Sequence, residues 1–172
     1  MLTANTQSRN VLLAAIGVLA IGAGIAVLAQ DQGQKPEPAP AAAPANDYTR
    51  SVAKPYDEVM KAVEAAAKAQ GFRVSNVHDI AASLRKDGIE RKPVATVEVC
   101  NSKLAAQVLQ AEPRLATLMP CRIAVFEKDG QTVVSMIWPS RLMTMFPENA
   151  EVKEAAAQVD KSMKAIVDQA TQ

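Results

Sequence analysis

The apolar segment of residues 11–29 constrains this chain more than any other feature. It contains nineteen consecutive uncharged residues, most of them apolar. A helix of that length spans roughly 28 Å at a rise of about 1.5 Å per residue, which matches the hydrocarbon core of a bilayer. Residues 1–10 carry one positive charge, Arg9, and no acidic residue. Because positively charged flanks stay in the cytoplasm, we predict a cytoplasmic head and a single-pass inner-membrane anchor. The C-terminal domain then lies in the periplasm or outside the cell.

A cleavable signal peptide is the alternative interpretation of the same segment. Signal peptides have an apolar region of about 7–15 residues followed by small residues at the cleavage site, and Val27-Leu28-Ala29 resembles such a site. Both interpretations export the rest of the chain. If the helix is retained, the spacing of Ala20 and Gly24 allows two copies to approach closely, so a homodimer is an additional prediction.

Residues 30–47 have the composition of a linker. Four prolines and several alanines occur in this stretch, and it contains no large apolar residue. Such a sequence cannot bury enough surface to offset the entropy lost on ordering. We therefore predict an extended Pro/Ala-rich spacer between the membrane segment and a domain at 48–172.

The periodicity of residues 48–172 predicts an α+β domain. The clearest unit is a hairpin, in which two runs rich in β-branched residues flank Asp129-Gly130. Apolar residues recur at helical spacing in two long segments. The predicted helices are 55–70, 102–110 and 151–169, and the predicted strands are 72–77, 94–100, 121–127 and 131–138. Hairpin pairing and a terminal helix favour a mainly antiparallel sheet with helices packed on one face.

Composition excludes several classes of function for this domain. The whole chain has 19 basic and 18 acidic residues, and only 3% of its residues are aromatic, so no nucleic-acid partner is expected. A single histidine excludes a multi-histidine metal site within one chain. The sequence also lacks a Gly-rich phosphate loop and a serine nucleophile elbow. These absences favour a protein that is not an enzyme, and no cofactor is expected unless copper binds.

The two cysteines are the centre of any functional argument. Cys100 ends one predicted strand and Cys121 begins the next, and antiparallel pairing would bring both to one rim of the sheet. Pro113 and Pro120 favour an extended return segment between them. The cysteines are then structural, bridged or buried as small apolar residues, or they form a redox-active pair. A redox role is favoured by the helix that begins just after Cys100, because a helix N-terminus lowers the pKa of a thiol.

Three further residues are candidates at the same rim. Asn101 or Ser102 is expected to cap the helix, and Asn101 adjoins the first cysteine. Glu98 shares a strand face with Cys100 and is a candidate base or ligand. Met119 lies next to the second cysteine, and thiolate with thioether ligands suits Cu(I), so Cys100, Cys121 and Met119 are the candidate metal ligands.

The sequence around both cysteines resembles domain-of-unknown-function family 302. The shared features over residues 48–170 are a helix ending in Gly71-Phe72, the Cys100-Asn101-Ser102 step, the Met119-Pro120-Cys121 step and a Val-rich hairpin. Ser102 stands where the family usually has proline, and Met119 stands where it usually has leucine. The resemblance implies a compact α+β fold, alone or behind a membrane segment, and it implies no assigned reaction.

These observations predict a membrane-tethered, exported binding or accessory module. Residues 11–29 contact the membrane, and the Cys100/Cys121 rim presents a site to a small ligand or a protein partner. A thiol/disulfide or sulfur-handling protein is the first alternative. A soft-metal carrier that binds copper is the second.

Overall fold

The computed structural model describes residues 45–172. The predicted cytoplasmic head, the membrane segment, its homodimer and nearly all of the linker lie outside the described residues. Within 45–172, the helices are too short or too polar to cross a bilayer. The first strand begins at Asp47, so its first residue is the last residue of the predicted linker.

The described chain forms one five-stranded antiparallel sheet beside α-helices. The strands are β1 (Asp47–Val52), β2 (Arg73–Asp79), β3 (Val94–Cys100), β4 (Cys121–Lys128) and β5 (Gln131–Ile137). The helices are α1 (Tyr56–Ala69), α2 (Ile80–Lys86), α3 (Ser102–Ala111), α4 (Pro139–Met143) and α5 (Ala150–Ala170). The spatial order is β1-β5-β4-β3-β2, and every neighbouring pair is antiparallel. The predicted α+β class with an antiparallel sheet is therefore confirmed.

The main core lies between one face of the sheet and helices α1 and α5. Alternate residues of the central strands, such as Val97 on β3 and Val125 on β4, are fully buried there. They meet Val63 of α1 and Ile166 of α5, which recur on the buried stripes of those helices. Packing both long helices on one sheet face leaves the opposite face without a helical layer from α1 or α5.

Local sequence explains why the hairpin and the first helix end where they do. Asp129 and Gly130 both have positive φ, 51° and 76°, which is the geometry of a tight two-residue hairpin turn. Helix α1 carries Asp57 and Glu58 in its first turn, where the helix dipole favours negative charge. Gly71 follows the helix with φ of 75°, a conformation that side-chain-bearing residues rarely adopt.

The prediction of an extended return segment before Cys121 is wrong. A 3₁₀ helix, Pro113–Leu118, occupies most of that segment. Pro113 suits the first turn of a helix because it lacks an N–H that would go unbonded there. The Glu112 carboxylate accepts a hydrogen bond from the Arg114 backbone N–H at 3.0 Å and caps the turn. Leu115 is buried in a second apolar cluster with Val108 and Val152, and this burial holds the 3₁₀ helix against α3 and α5.

Candidate functional site

The ends of β3 and β4 place both cysteines at one rim of the sheet. The two strands are antiparallel neighbours, and Val99 pairs with Cys121 in their register. The predicted antiparallel arrangement of these two strands is therefore confirmed. Both cysteines are free thiols, so the structure does not contain the disulfide that the sequence allowed.

The strand alternation explains how two adjacent thiols remain unbridged. Cys121 pairs with buried Val99 and packs partly against the main core, on the helix-covered face. Cys100 is one residue beyond Val99, so its side chain leaves the strand toward the opposite face. The two side chains therefore start in different directions, although they border the same cavity.

That cavity has a volume of about 280 Å³ and lies under the rim. Its walls come from the ends of β3 to β5, from α3 and the 3₁₀ helix, and from α4 and α5. Aliphatic side chains such as Leu104, Leu118 and Leu142 supply much of the lining. Six lining residues carry sulfur: Cys100, Met119, Cys121, Met136, Met143 and Met163. The cavity is thus apolar and rich in polarisable atoms.

Burial keeps Cys121 in its neutral form. The pKa of its thiol is raised to about 11, mainly by desolvation and to a smaller extent by the neighbouring Cys100 and Asp160. A neutral thiol is a weak nucleophile and acts as a small apolar side chain. Cys121 therefore contributes to the apolar wall of the cavity under physiological conditions.

Asn101 holds the rim together through three hydrogen bonds of its side chain. Its Oδ1 accepts hydrogen bonds from the backbone N–H groups of Lys103 and Leu104, at 3.1 and 3.2 Å, which caps α3 as predicted. Its Nδ2 donates to the carbonyl oxygen of Gly71 at 3.2 Å. The residue borders the cavity, and its side chain links α3 to the turn after α1.

Glu98 does not line the cavity but pairs with a residue that does. Arg122 lies opposite Glu98 in the β3–β4 register, and its Nε donates to the Glu98 Oε1 at 3.3 Å. Arg122 borders the cavity, and its side chain is 57% exposed, so it stands at the opening. Sequence reasoning missed Arg122, although its position directly after Cys121 and opposite Glu98 was implied by antiparallel pairing.

The methionines separate into those at the cavity and those away from it. Met119 borders the cavity beside Cys121, preceding Pro120 across a cis peptide bond. Met143 also lines the cavity, whereas Met145 is 67% exposed and does not. Across residues 45–172, no group of three or more His, Cys, Asp or Glu side chains is arranged to hold a metal ion.

A second cavity, of about 770 Å³, lies between α4 and the N-terminal part of α5. It contains neither cysteine, and charged side chains of both signs line it, including Arg141, Lys153 and Asp160. Four of the candidate residues from the sequence, Cys100, Asn101, Met119 and Cys121, therefore border the smaller, apolar cavity at the rim, and Glu98 does not.

Comparison with known proteins assigns the domain that carries this cavity. The family model "Domain of unknown function DUF302" matches residues 48–170, which includes both cysteines and both long helices. The chain belongs to the DUF302 family. An uncharacterized protein from Aquifex aeolicus is 30% identical over 114 residues, covering 64% of this chain and 73% of the relative.

A solved DUF302 structure shows the same fold. The crystal structure of an uncharacterised conserved DUF302 protein from Bacillus stearothermophilus superposes with a TM-score of 0.69 at 28% identity. The match covers 73% of this chain and 98% of that chain. The resemblance that the sequence indicated is thereby confirmed for the domain.

Proposed function

We propose that this DUF302 domain is a binding module that takes a small apolar ligand into the cavity at the Cys100/Cys121 rim. The observation that carries the proposal is the cavity itself. Protein interiors contain few voids larger than a water molecule. Apolar cavities of only about 150 Å³ already bind benzene. A lined space of about 280 Å³ therefore has room for a larger organic molecule.

The chemistry of the wall favours binding over catalysis. The thiol of Cys121 has a raised pKa, and the Asn101 side chain is occupied by three structural hydrogen bonds. Within residues 45–172, buried side-chain nitrogen and oxygen atoms all have hydrogen-bond partners. The lining thus offers shape and apolar surface, which are the main features of small-molecule sites. The thiol/disulfide alternative would have to rest on Cys100, because the raised pKa of Cys121 makes that thiol a weak nucleophile.

A fluorescent apolar probe tests the proposal. N-phenyl-1-naphthylamine is expected to bind the full chain saturably at one site per domain. Ala105 borders the cavity from α3, whereas the neighbouring Ala106 is exposed. Ala105→Leu fills part of the cavity and is expected to weaken probe binding at least tenfold, and Ala106→Leu is the matched control. Equal binding by both variants would contradict the proposal.

Copper carriage is the second candidate, and the six sulfur side chains around one cavity favour it. Thiolate and thioether sulfur are the preferred ligands of Cu(I). Anaerobic titration of Cu(I) against a competing chelator is expected to give one tight site in the wild type. The double variant Cys100→Ser, Cys121→Ser is expected to lose it. If the double variant binds Cu(I) as tightly as the wild type, a cysteine-based site is excluded.

The location of the domain forms a separate part of the proposal. Residues 11–29 are proposed to hold the domain at the outer surface of the inner membrane, with residues 30–47 as the spacer. Support comes from the length of the apolar run and the positive charge before it. The full chain is expected to fractionate with membranes. N-terminal sequencing of the mature protein that began at Gln30 would replace the anchor with a cleaved signal.

A further inference from the structure

The opening of the apolar cavity carries a single charged side chain. Among the residues of 45–172 that border the cavity, Arg122 alone is charged, and the other polar ones, such as Thr96 and Ser135, are neutral. Arg122 is more than half exposed and stands at the edge of the sheet rim. A cavity with apolar walls and one cation at its opening is complementary to an amphiphile with an apolar tail and one anionic end.

The Arg122 guanidinium has donors to spare for a ligand. An arginine side chain has five N–H donors. Within residues 45–172, the Arg122 side chain makes one hydrogen bond, from its Nε to Glu98 at 3.3 Å. The terminal NH₂ groups remain available, and a planar guanidinium suits a carboxylate because both oxygens can be bonded together.

Glu98 orients the Arg122 guanidinium without blocking the cavity. Glu98 is 20% exposed and lies directly across the strand pair from Arg122. It holds the Nε side of the guanidinium against β3. The carboxylate itself does not border the cavity, so a ligand in the cavity meets the cation before it meets the anion.

Resting on the proposed binding function, we propose that the ligand is a free medium-chain carboxylate whose alkyl tail fills the cavity and whose carboxylate binds Arg122. The volume of about 280 Å³ is nearly twice that of a cavity that holds benzene, which corresponds to a tail of roughly eight to ten carbons. Each methylene that enters the cavity tightens the dissociation constant by about fourfold.

The test detects ligand binding through the NMR signals of the protein's methionine methyl groups. The full chain is labelled with ¹³C-methyl methionine and placed in phospholipid nanodiscs, so that no detergent competes for the cavity. Decanoate at pH 7.5 is expected to shift the methyl signals of Met119 and Met163 saturably. Met145, which is exposed and away from the cavity, serves as the internal control. Octanoate is expected to bind about fifteenfold more weakly than decanoate, since it lacks two methylenes.

The charge on the ligand is tested separately from the cavity. Decanol has the same tail and no charge, and it is expected to bind about tenfold more weakly than decanoate in the wild type. Arg122→Gln is expected to abolish that difference by weakening decanoate alone. Arg73→Gln removes an exposed arginine of β2 that does not border the cavity, and it is expected to change nothing.

The outcomes separate this inference from the proposed function. Equal affinity for decanoate and decanol, unchanged in Arg122→Gln, would overturn the carboxylate and leave an apolar binding module. If neither compound shifts the methyl signals of the cavity methionines while the naphthylamine probe still binds, the proposed alkyl ligand is wrong. The proposed function as an apolar binding module then stands. Loss of probe binding as well would overturn both.

Discussion

The side chain of Asn101 makes three hydrogen bonds, and its removal gives the sharpest test of how the rim is held. Asn101→Ala deletes the cap of α3, which consists of the two bonds accepted by Oδ1. It also deletes the bond from Nδ2 to the Gly71 carbonyl oxygen. The last bond joins residues thirty positions apart in sequence, so it links α3, which borders the cavity, to the end of α1.

The expected loss of unfolding free energy has two parts, the cap of α3 and the hydrogen bond to Gly71. Replacing an asparagine cap by alanine costs about 1 kcal/mol of unfolding free energy. Removing one further hydrogen bond costs about 1 kcal/mol. We therefore expect Asn101→Ala to lower the unfolding free energy by about 2 kcal/mol. For a domain of this size that corresponds to a melting temperature roughly 8 °C lower.

The chain contains a matched control for this prediction. Asn149 caps α5 with the same two kinds of bond, to the N–H groups of Glu151 and Val152, and it makes no side-chain bond equivalent to that with Gly71. Asn149→Ala is expected to cost only the cap, about 1 kcal/mol. Urea and thermal denaturation followed by circular dichroism measure both variants. If Asn149→Ala costs as much as Asn101→Ala, the bond to Gly71 contributes nothing and the reasoning fails.

Three other side chains, Tyr48, Glu112 and Cys121, provide further tests. Tyr48 donates a hydrogen bond to Asp168 at 2.6 Å, so Tyr48→Phe is expected to cost about 1 kcal/mol in urea denaturation and to raise the pKa of Asp168; an unchanged denaturation midpoint would contradict it. Hydrogen bonds from Arg114 lower the pKa of Glu112 from 4.5 to about 2, so stability from this pair is complete above pH 4.5 and is lost as pH falls toward 2. Glu112→Gln is therefore expected to show a shallower decline of melting temperature between those pH values, and parallel curves would refute it. Burial raises the pKa of Cys121 from 9.0 to about 11, so this thiol stabilises the fold fully below pH 9 and progressively less as pH rises toward 11. Iodoacetamide should accordingly alkylate folded Cys100→Ser protein slowly at pH 9 and rapidly after denaturation.

Much of the fold followed from local sequence signals. The Asp129-Gly130 turn predicted the hairpin, since few residues other than glycine and asparagine or aspartate accept positive φ. The helical spacing of apolar residues in 151–169 predicted the long C-terminal helix, and Met163 and Ile166 of that spacing are buried. Alternation along β3 predicted that Glu98 and Cys100 would share a face opposite Val97 and Val99, and the burial pattern of the strand agrees.

The cavity could not be predicted in the same way, because it depends on long-range packing. Its wall combines Leu104, Met136 and Met163, which come from three different elements far apart in the chain. No local pattern shows how closely such elements approach. The 3₁₀ helix was missed for a related reason: Pro113 is compatible with both an extended segment and a first helical turn, and burial of Leu115 decides between them.

The order of strands in the sheet has a consequence for how the domain folds. Strands β2 to β5 are neighbours in both sequence and space, so each can pair soon after it is synthesised. Strand β1 pairs with β5, and Asp47 meets Ile137, ninety residues later. Closing so long a loop carries an entropic cost before any β1 contact forms. We therefore expect β1 to dock last and to show the fastest native-state hydrogen exchange of the five strands, which makes the strand nearest to residues 30–47 the final part of the domain to become ordered.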